Sequence, residues 1–149
     1  MTDGNRHDLG VLMERVCAIV AARLTASVSQ VMLSYAAAGS VRRSRVVGYD
    51  QDGAVVPSAP LSASEEQLIT VLRESAYEPG RGTWWSMRLE VRSDGNFTAR
   101  FNFDNRPDFG ADRIDPRDFA DDDARFPRAG AHRPAWYEAE IARANAGDP

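Results

Sequence analysis

Carboxylate side chains are the most concentrated chemical feature of this sequence of 149 residues. Eight aspartates and three arginines lie between residues 104 and 123, which gives that segment a formal charge of −5. The whole chain carries −4, so the remainder sums to +1. Aspartates at this density could hold a divalent cation for a metal-dependent enzyme, or they could meet a partner of opposite charge.

The run Asp121-Asp122-Asp123 is where a metal site would be sought. Three successive residues of a helix point about 100° apart, and no calcium-loop spacing surrounds this run. We therefore expect no metal site and no cofactor-binding residue in this chain. A small metal-dependent enzyme that uses the aspartate cluster remains the less favoured alternative.

Side chains suited to general base or nucleophilic chemistry are scarce. His7 and His132 are the two histidines, and we expect both to lie on the surface. Cys17, the one cysteine, falls on the apolar stripe of a predicted helix, which favours a buried small hydrophobe over a nucleophile. No serine-hydrolase elbow, zinc-protease helix, Walker loop or dinucleotide fingerprint occurs. The sequence therefore predicts a protein without catalytic residues, which is not an enzyme.

Length and composition favour one globular α+β domain over residues 1–149. There is no apolar run of membrane-spanning length, the first residues do not resemble a signal peptide, and a single cysteine allows no disulfide framework. We expect a cytoplasmic protein that does not act at a membrane. The acidic balance also disfavours nucleic acid as a partner.

Residues 84–104 carry the strongest structural signal, that of a β-hairpin. Apolar and polar residues alternate on both sides of Ser93-Asp94-Gly95, as in two half-buried strands. A three-residue loop with Gly95 at positive φ pairs Val91 with Phe97, whereas a two-residue loop would oppose apolar and polar residues. We predict the three-residue loop, and we expect Trp84 to point outward, where it either packs under the C-terminal tail or contacts a partner. The predicted inward face comprises Trp85, Met87, Leu89, Val91, Phe97, Phe101 and Phe103.

Other patterns predict the elements around this hairpin. Before it we expect an amphipathic helix from residue 8 to about 24, strands over 29–35, 41–49 and 54–56, and a second helix over about 63–77. A capping box of Ser62 and Glu65 begins the second helix. The resulting fold class is α+β, an antiparallel sheet of four to five strands packed with two main helices.

A short helical tail is predicted to complete the fold. After residue 104 we expect a long loop, then a helix that Asp115 caps and that ends near Arg125. This helix should present Phe119 and Phe126 inward. Pro134 is expected to open a last short helix.

Several motifs resemble the YezG-type immunity proteins of bacterial polymorphic toxin systems. They are Gly82-x-Trp84, Ser93-Asp94-Gly95-Asn96-Phe97, Phe101-Asn102-Phe103-Asp104, Asp118-Phe119, Phe126-Pro127-Arg128 and Pro134-x-Trp136. The order of elements is similar over most of the chain, and the motifs cover residues 82–136. The second strand departs from the family, because it is rich in arginine over residues 42–45.

This resemblance implies an immunity protein, or antitoxin, that binds a cognate toxin and covers its active site. A toxin that acts on nucleic acid or hydrolyses NAD would have a basic cleft suited to an acidic inhibitor. A chaperone or adaptor for a secreted effector is the alternative from another class. The candidate toxin-binding residues are Asp104, Asp108, Phe109, Asp112, Asp115, Asp118, Asp121, Asp122 and Asp123.

Overall fold

The fold is described from a computed structural model, which covers residues 2–110 and 114–147, with side chains from residue 9 onward. In chain order the elements are α1 (Thr2–Ala21), β1 (Gln30–Ala38), β2 (Val41–Tyr49), β3 (Val55–Val56), α2 (Ala63–Ser75), β4 (Ser86–Arg92), β5 (Phe97–Asn102), α3 (Pro116–Arg125), a 3-10 turn (Gly130–His132) and α4 (Ala135–Asn145). The strands form one antiparallel sheet in the order β3-β2-β1-β4-β5. The predicted α+β class is confirmed.

The bounds of α1 differ from the predicted ones at both ends. The helix begins at Thr2, because the apolar stripe marks only the part of a helix that is buried and not the turns before it. It ends at Ala21, and the next residues form tighter turns in which the Leu24 N–H donates to the Ala21 carbonyl at 3.0 Å. The prediction had included that last turn in the helix.

The chain packs into two compact units. The first unit comprises Met1–Tyr35, Ser44–Ala76 and Met87–Arg100, and the second comprises Ala36–Arg43, Tyr77–Ser86 and Phe101–Pro149. Their contents are described separately below.

The core of the first unit lies between one sheet face and the helices. Its buried side chains alternate along the strands and recur along the helices: Leu12, Val16, Val20, Val31, Leu33, Tyr35, Ile69, Leu72, Met87, Leu89 and Val91. Tyr35 of β1 is hydrogen-bonded to Thr70 of α2, with 3.1 Å between the hydroxyl oxygens. Ser44 of β2 donates to Glu66 of α2 at 3.1 Å. These bonds place α2 against that face of the sheet.

The predicted capping box is present at the start of α2. The Ser62 hydroxyl accepts from the Glu65 N–H at 3.2 Å, and the Glu65 carboxylate accepts from the Ser62 N–H at 2.8 Å. The same carboxylate is paired with Arg23 at 2.8 Å. Arg23 also donates to the carbonyls of Ala59 and Pro60. The start of α2 is therefore held to the segment that follows α1.

An aromatic core defines the second unit. Its buried members are Ala36, Ala38, Trp85, Phe109, Phe119 and Tyr137. The Trp85 ring lies 5.7 Å from Phe119 and 5.2 Å from Tyr137, measured between ring centroids. The Arg128 guanidinium stacks on Trp85 at 4.5 Å and donates to the Phe103 carbonyl. The predicted inward orientation of Phe119 is confirmed.

The hairpin loop has the predicted length. The Arg92 N–H donates to the Asn96 carbonyl at 2.9 Å, and the Gly95 N–H donates to the Arg92 carbonyl at 3.0 Å. Gly95 has a φ of 89°, a left-handed conformation that glycine adopts without a steric penalty. Three residues thus separate Arg92 from Asn96, which is the loop length that pairs Val91 with Phe97.

The predicted inward face is buried along β4 but not along β5. Trp85, Met87, Leu89 and Val91 are buried, but Phe97 is 54% exposed and Phe101 is 38% exposed. Phe103 is half-buried. The phenylalanines of β5 are more exposed because β5 is the last strand of the sheet and has a neighbouring strand on only one side.

Trp84, predicted to lie either under the tail or against a partner, is buried within the protein. Trp84 is 1% exposed and packs on Phe101, with ring centroids 5.5 Å apart. Strand β4 begins at Ser86, so Trp84 precedes the regular alternation of the strand. Both adjacent tryptophans are therefore buried.

Candidate functional site

The start of α3 organises the acidic segment, and it lies in the second unit. Asp115 has extended backbone geometry and its carboxylate accepts from the Arg117 N–H at 2.9 Å, as expected of a helix N-cap. Pro116 occupies the first turn, where its missing N–H has no cost. The predicted helix start is confirmed.

Three aspartates recur at every third position from this cap and so share one side of α3. We call Asp115, Asp118 and Asp121 the acidic ridge. Partial burial raises the pKa of Asp118, and the charges of Asp115 and Asp121 raise it further. These three carboxylates therefore repel one another in the folded protein.

Arg117 neutralises part of the acidic ridge. Its guanidinium is paired with Asp115 at 2.8 Å, and this hydrogen-bonded pair lowers the pKa of Asp115. Arg117 was not among the residues predicted for the site. Its position two residues after the cap was the available signal, because a capping carboxylate faces the first turn of its helix.

Asp122 lies one helical turn after Asp118, but it is buried and structural. It is 1% exposed, and its carboxylate accepts from the Gly39 N–H at 3.0 Å in the turn between β1 and β2. Gly39 has a φ of 58°, and a β-carbon there would lie 2.7 Å from the Asp118 carbonyl oxygen. This close approach holds α3 against the turn. The expectation that Asp122 is an exposed binding residue is wrong.

Asp123 is also engaged within the protein. Its carboxylate is paired with Arg133 at 2.8 Å, and Arg133 also binds Glu138. Burial raises the pKa of Tyr137, and the nearby Asp123 carboxylate raises it further. Half-buried and paired, Asp123 lacks the exposure predicted for it.

The remaining predicted residues precede α3. Asp104 and Asp108 are exposed, and Asp108 accepts from the Gly110 N–H at 2.8 Å. Phe109 is buried in the core of the second unit, which leaves little of its ring accessible to a partner. Asp112 lies outside the described residues.

Five of the nine predicted residues thus remain available to a partner. Asp104, Asp108 and Asp121 are exposed, while Asp115 and Asp118 are half-buried. Asp122, Asp123 and Phe109 serve the fold. The run of three aspartates is divided by the helix, which turns Asp121 outward and Asp122 inward.

The other candidate residues show no convergent chemistry. Cys17 is half-buried, and burial raises the pKa of its thiol. His132 is exposed in the 3-10 turn, and the side chain of His7 lies outside the described ones. Among the residues that the structure describes, no group of three or more His, Cys, Asp and Glu is placed to hold a metal ion. None of the described helices has the length and apolar character needed to cross a membrane.

Comparison of the chain with models of protein families gives no match, and a search of curated proteins finds no relative.

Proposed function

We propose that this protein is a cytoplasmic immunity protein that binds a cognate bacterial toxin and blocks its active site. The acidic ridge, together with Asp104 and Asp108, would contact a basic cleft on the toxin. A nuclease or an NAD-hydrolysing toxin has such a cleft, because its substrate carries phosphates.

The observation that carries this proposal is the repulsion that remains at Asp118 within the acidic ridge, although Arg117 neutralises Asp115. The pKa of Asp118 is raised by burial and by the neighbouring charges of Asp115 and Asp121. A cationic partner would relieve that repulsion on binding, so the free protein has an electrostatic reason to associate. Arginine or lysine side chains that normally hold substrate phosphates would then hold these carboxylates.

Two further observations support the same function. The motifs between Gly82 and Trp136 resemble those of YezG-type immunity proteins. The acidic ridge also lies on a helix whose first turn is capped and whose inner side is held by Asp122, so the backbone that carries its carboxylates is held in place before binding. Fixed groups lose less conformational entropy on association.

The test is a variant that neutralises the exposed side of α3 without disturbing its inner side. If a toxin domain is encoded beside this gene, Asp118→Asn/Asp121→Asn should slow association with it and weaken the salt dependence of the rate. Association rates at low and high salt, and survival of cells that express the toxin domain, are the measurements. Asp122 and Asp123 are left unchanged because they serve the fold.

A matched control removes two acidic charges elsewhere. Glu14→Gln/Asp52→Asn neutralises two exposed carboxylates of the first unit and should leave association and survival unchanged. If Asp118→Asn/Asp121→Asn binds and protects like the unmodified protein, the acidic ridge is not the interface. If deletion of this gene blocks secretion of the neighbouring protein but leaves cells protected from its activity, the protein is instead a chaperone.

A further inference from the structure

The outer sheet face of the first unit carries a basic groove. The side chains of β4 that alternate with the buried ones point to this face, and so do two side chains of β5. The groove has a volume of about 360 Å³ and is lined by Arg88, Glu90, Arg92, Thr98 and Arg100. We call this surface the arginine groove.

Positive charge in the arginine groove is only partly neutralised. Glu90 is its one lining carboxylate, and it lies 3.9 Å from Arg88 and 3.5 Å from Arg92. Arg100 is exposed and forms no ion pair with any residue that the structure describes. Three arginines against one glutamate leave a net charge of +2, which suits an anionic ligand.

The arginine groove borders an open sheet edge. Strand β5 ends the sheet, and its register follows from the bond between the Arg92 N–H and the Asn96 carbonyl. Because bonded and non-bonded pairs alternate in an antiparallel ladder, the backbone groups of Phe97 and Ala99 point away from β4. Neither proline nor glycine interrupts β5, whereas β3 at the other edge has two residues and precedes Pro57. Strand β5 is therefore the edge better suited to pairing with another chain.

An exposed apolar side chain lies on the opposite face of the same strand. Phe97 is 54% exposed at the start of β5. The strand thus offers backbone hydrogen-bonding groups at its edge, basic side chains on one face and an aromatic ring on the other. A single ligand that satisfies all three is an extended peptide whose residues alternate between acidic and apolar.

We propose that β5 binds an extended acidic segment of a partner protein as an additional strand of the sheet. The backbone of the segment pairs with Phe97 and Ala99, its carboxylates enter the arginine groove, and its apolar side chains cover Phe97. Single-stranded nucleic acid fits less well, because the lining of the groove contains no aromatic ring on which bases could stack. This proposal does not depend on the proposed function.

The experiment measures binding of a labelled peptide of ten alternating valine and glutamate residues by fluorescence anisotropy. The unmodified protein should bind this peptide, and it should not bind a matched peptide of valine and lysine. Arg100→Glu and Ala99→Pro should each weaken binding at least tenfold. The first reverses a groove charge, and the second removes an edge N–H that β4 does not use.

The control variant Arg15→Glu makes the same charge change at an exposed position of α1 and should bind the peptide normally. Hydrogen exchange of the Phe97 and Ala99 amides should slow when the peptide is present. Thermal melts of Arg100→Glu establish that this variant is folded, so the test does not rest on Ala99→Pro alone.

Four outcomes would overturn the proposal. The first is binding of the valine-glutamate peptide that Arg100→Glu leaves unchanged, and the second is protection of amides on other strands. The third is binding of a ten-nucleotide oligothymidylate in the absence of any peptide binding, which would assign the arginine groove to nucleic acid. Absence of all binding by the unmodified protein would equally reject it.

Discussion

Asp121 and Asp122 are neighbours in α3 with opposite environments. Asp121 is exposed on the acidic ridge, while the Asp122 carboxylate is buried and accepts from the Gly39 N–H. Their chemistry is identical, so only the direction of each side chain from the helix distinguishes the exposed residue from the structural one. This pair allows a direct measurement of that difference.

We expect Asp122→Ala to lower the free energy of unfolding by about 1–3 kcal/mol, because it leaves the Gly39 N–H without its acceptor in a buried place. Asp121→Ala should change it by less than about 0.5 kcal/mol, since its side chain is exposed. Urea unfolding of both variants is the measurement. Equal losses would contradict the assignment of Asp122 to the fold.

At the scale of the element, the two strands of the hairpin contribute unequally to stability. Leu89 on β4 is fully buried, whereas Phe97 on β5 is 54% exposed. Both belong to the apolar sets that alternate in the sequence. A strand within the sheet has neighbours on both sides, and the last strand does not.

Leu89→Ala should therefore cost about 2–5 kcal/mol, as expected when a buried leucine leaves a cavity. Phe97→Ala should cost less than about 1 kcal/mol, because much of its ring already contacts water. Chemical denaturation distinguishes the two. A large loss for Phe97→Ala would mean that β5 is covered in solution.

The start of α2 is a second element with a measurable signature. Hydrogen bonding from Arg23 lowers the pKa of Glu65, so its carboxylate stabilises the fold above the ordinary pKa of glutamate. That stabilisation is lost as the pH falls through the lowered value. Glu65→Gln should be less stable than the unmodified protein by about 1 kcal/mol at pH 7.

The difference should shrink as the pH falls through the lowered pKa of Glu65, where the carboxylate of the unmodified protein becomes protonated. Melting temperatures of both proteins across pH 3–7 test this expectation. Glu66→Gln is a suitable comparison, because Glu66 is next to Glu65 and is hydrogen-bonded to Ser44 without pairing with Arg23. A pH-independent difference for Glu65→Gln would show that its ion pair with Arg23 is not formed in solution.

At the scale of the whole molecule, opposite charges are concentrated in different parts of the chain. The acidic ridge belongs to the second unit, and the arginine groove belongs to the first. The protein therefore has two surfaces of opposite charge, although its net charge is −4. Because they share no residue, the two surfaces should act independently.

Independence is tested by crossing the two sets of variants. Arg100→Glu should leave protection from the toxin unchanged, and Asp118→Asn/Asp121→Asn should leave binding of the valine-glutamate peptide unchanged. Peptide affinity and cell survival, measured for each variant and for the combined one, give the result. A loss in both assays from either change would indicate that one surface serves both ligands.

Interactions between residues close in the chain could be predicted from the sequence alone. The Ser62 and Glu65 capping box, the Asp115 cap and the loop at Gly95 all formed as expected. Each depends on side chains and backbone groups within a few positions, so its outcome is nearly independent of the rest of the fold. The α+β class followed from the order of these elements.

Exposure was decided by the tertiary structure, because it depends on what packs against a residue from elsewhere in the chain. Alternation alone could not show that β5 would be the last strand and leave Phe97 exposed. Nor could the run of aspartates show that Gly39 would approach α3 and bury Asp122. The sequence by itself therefore determined the elements and the acidic character of the segment, and only the packing decided which carboxylates are exposed.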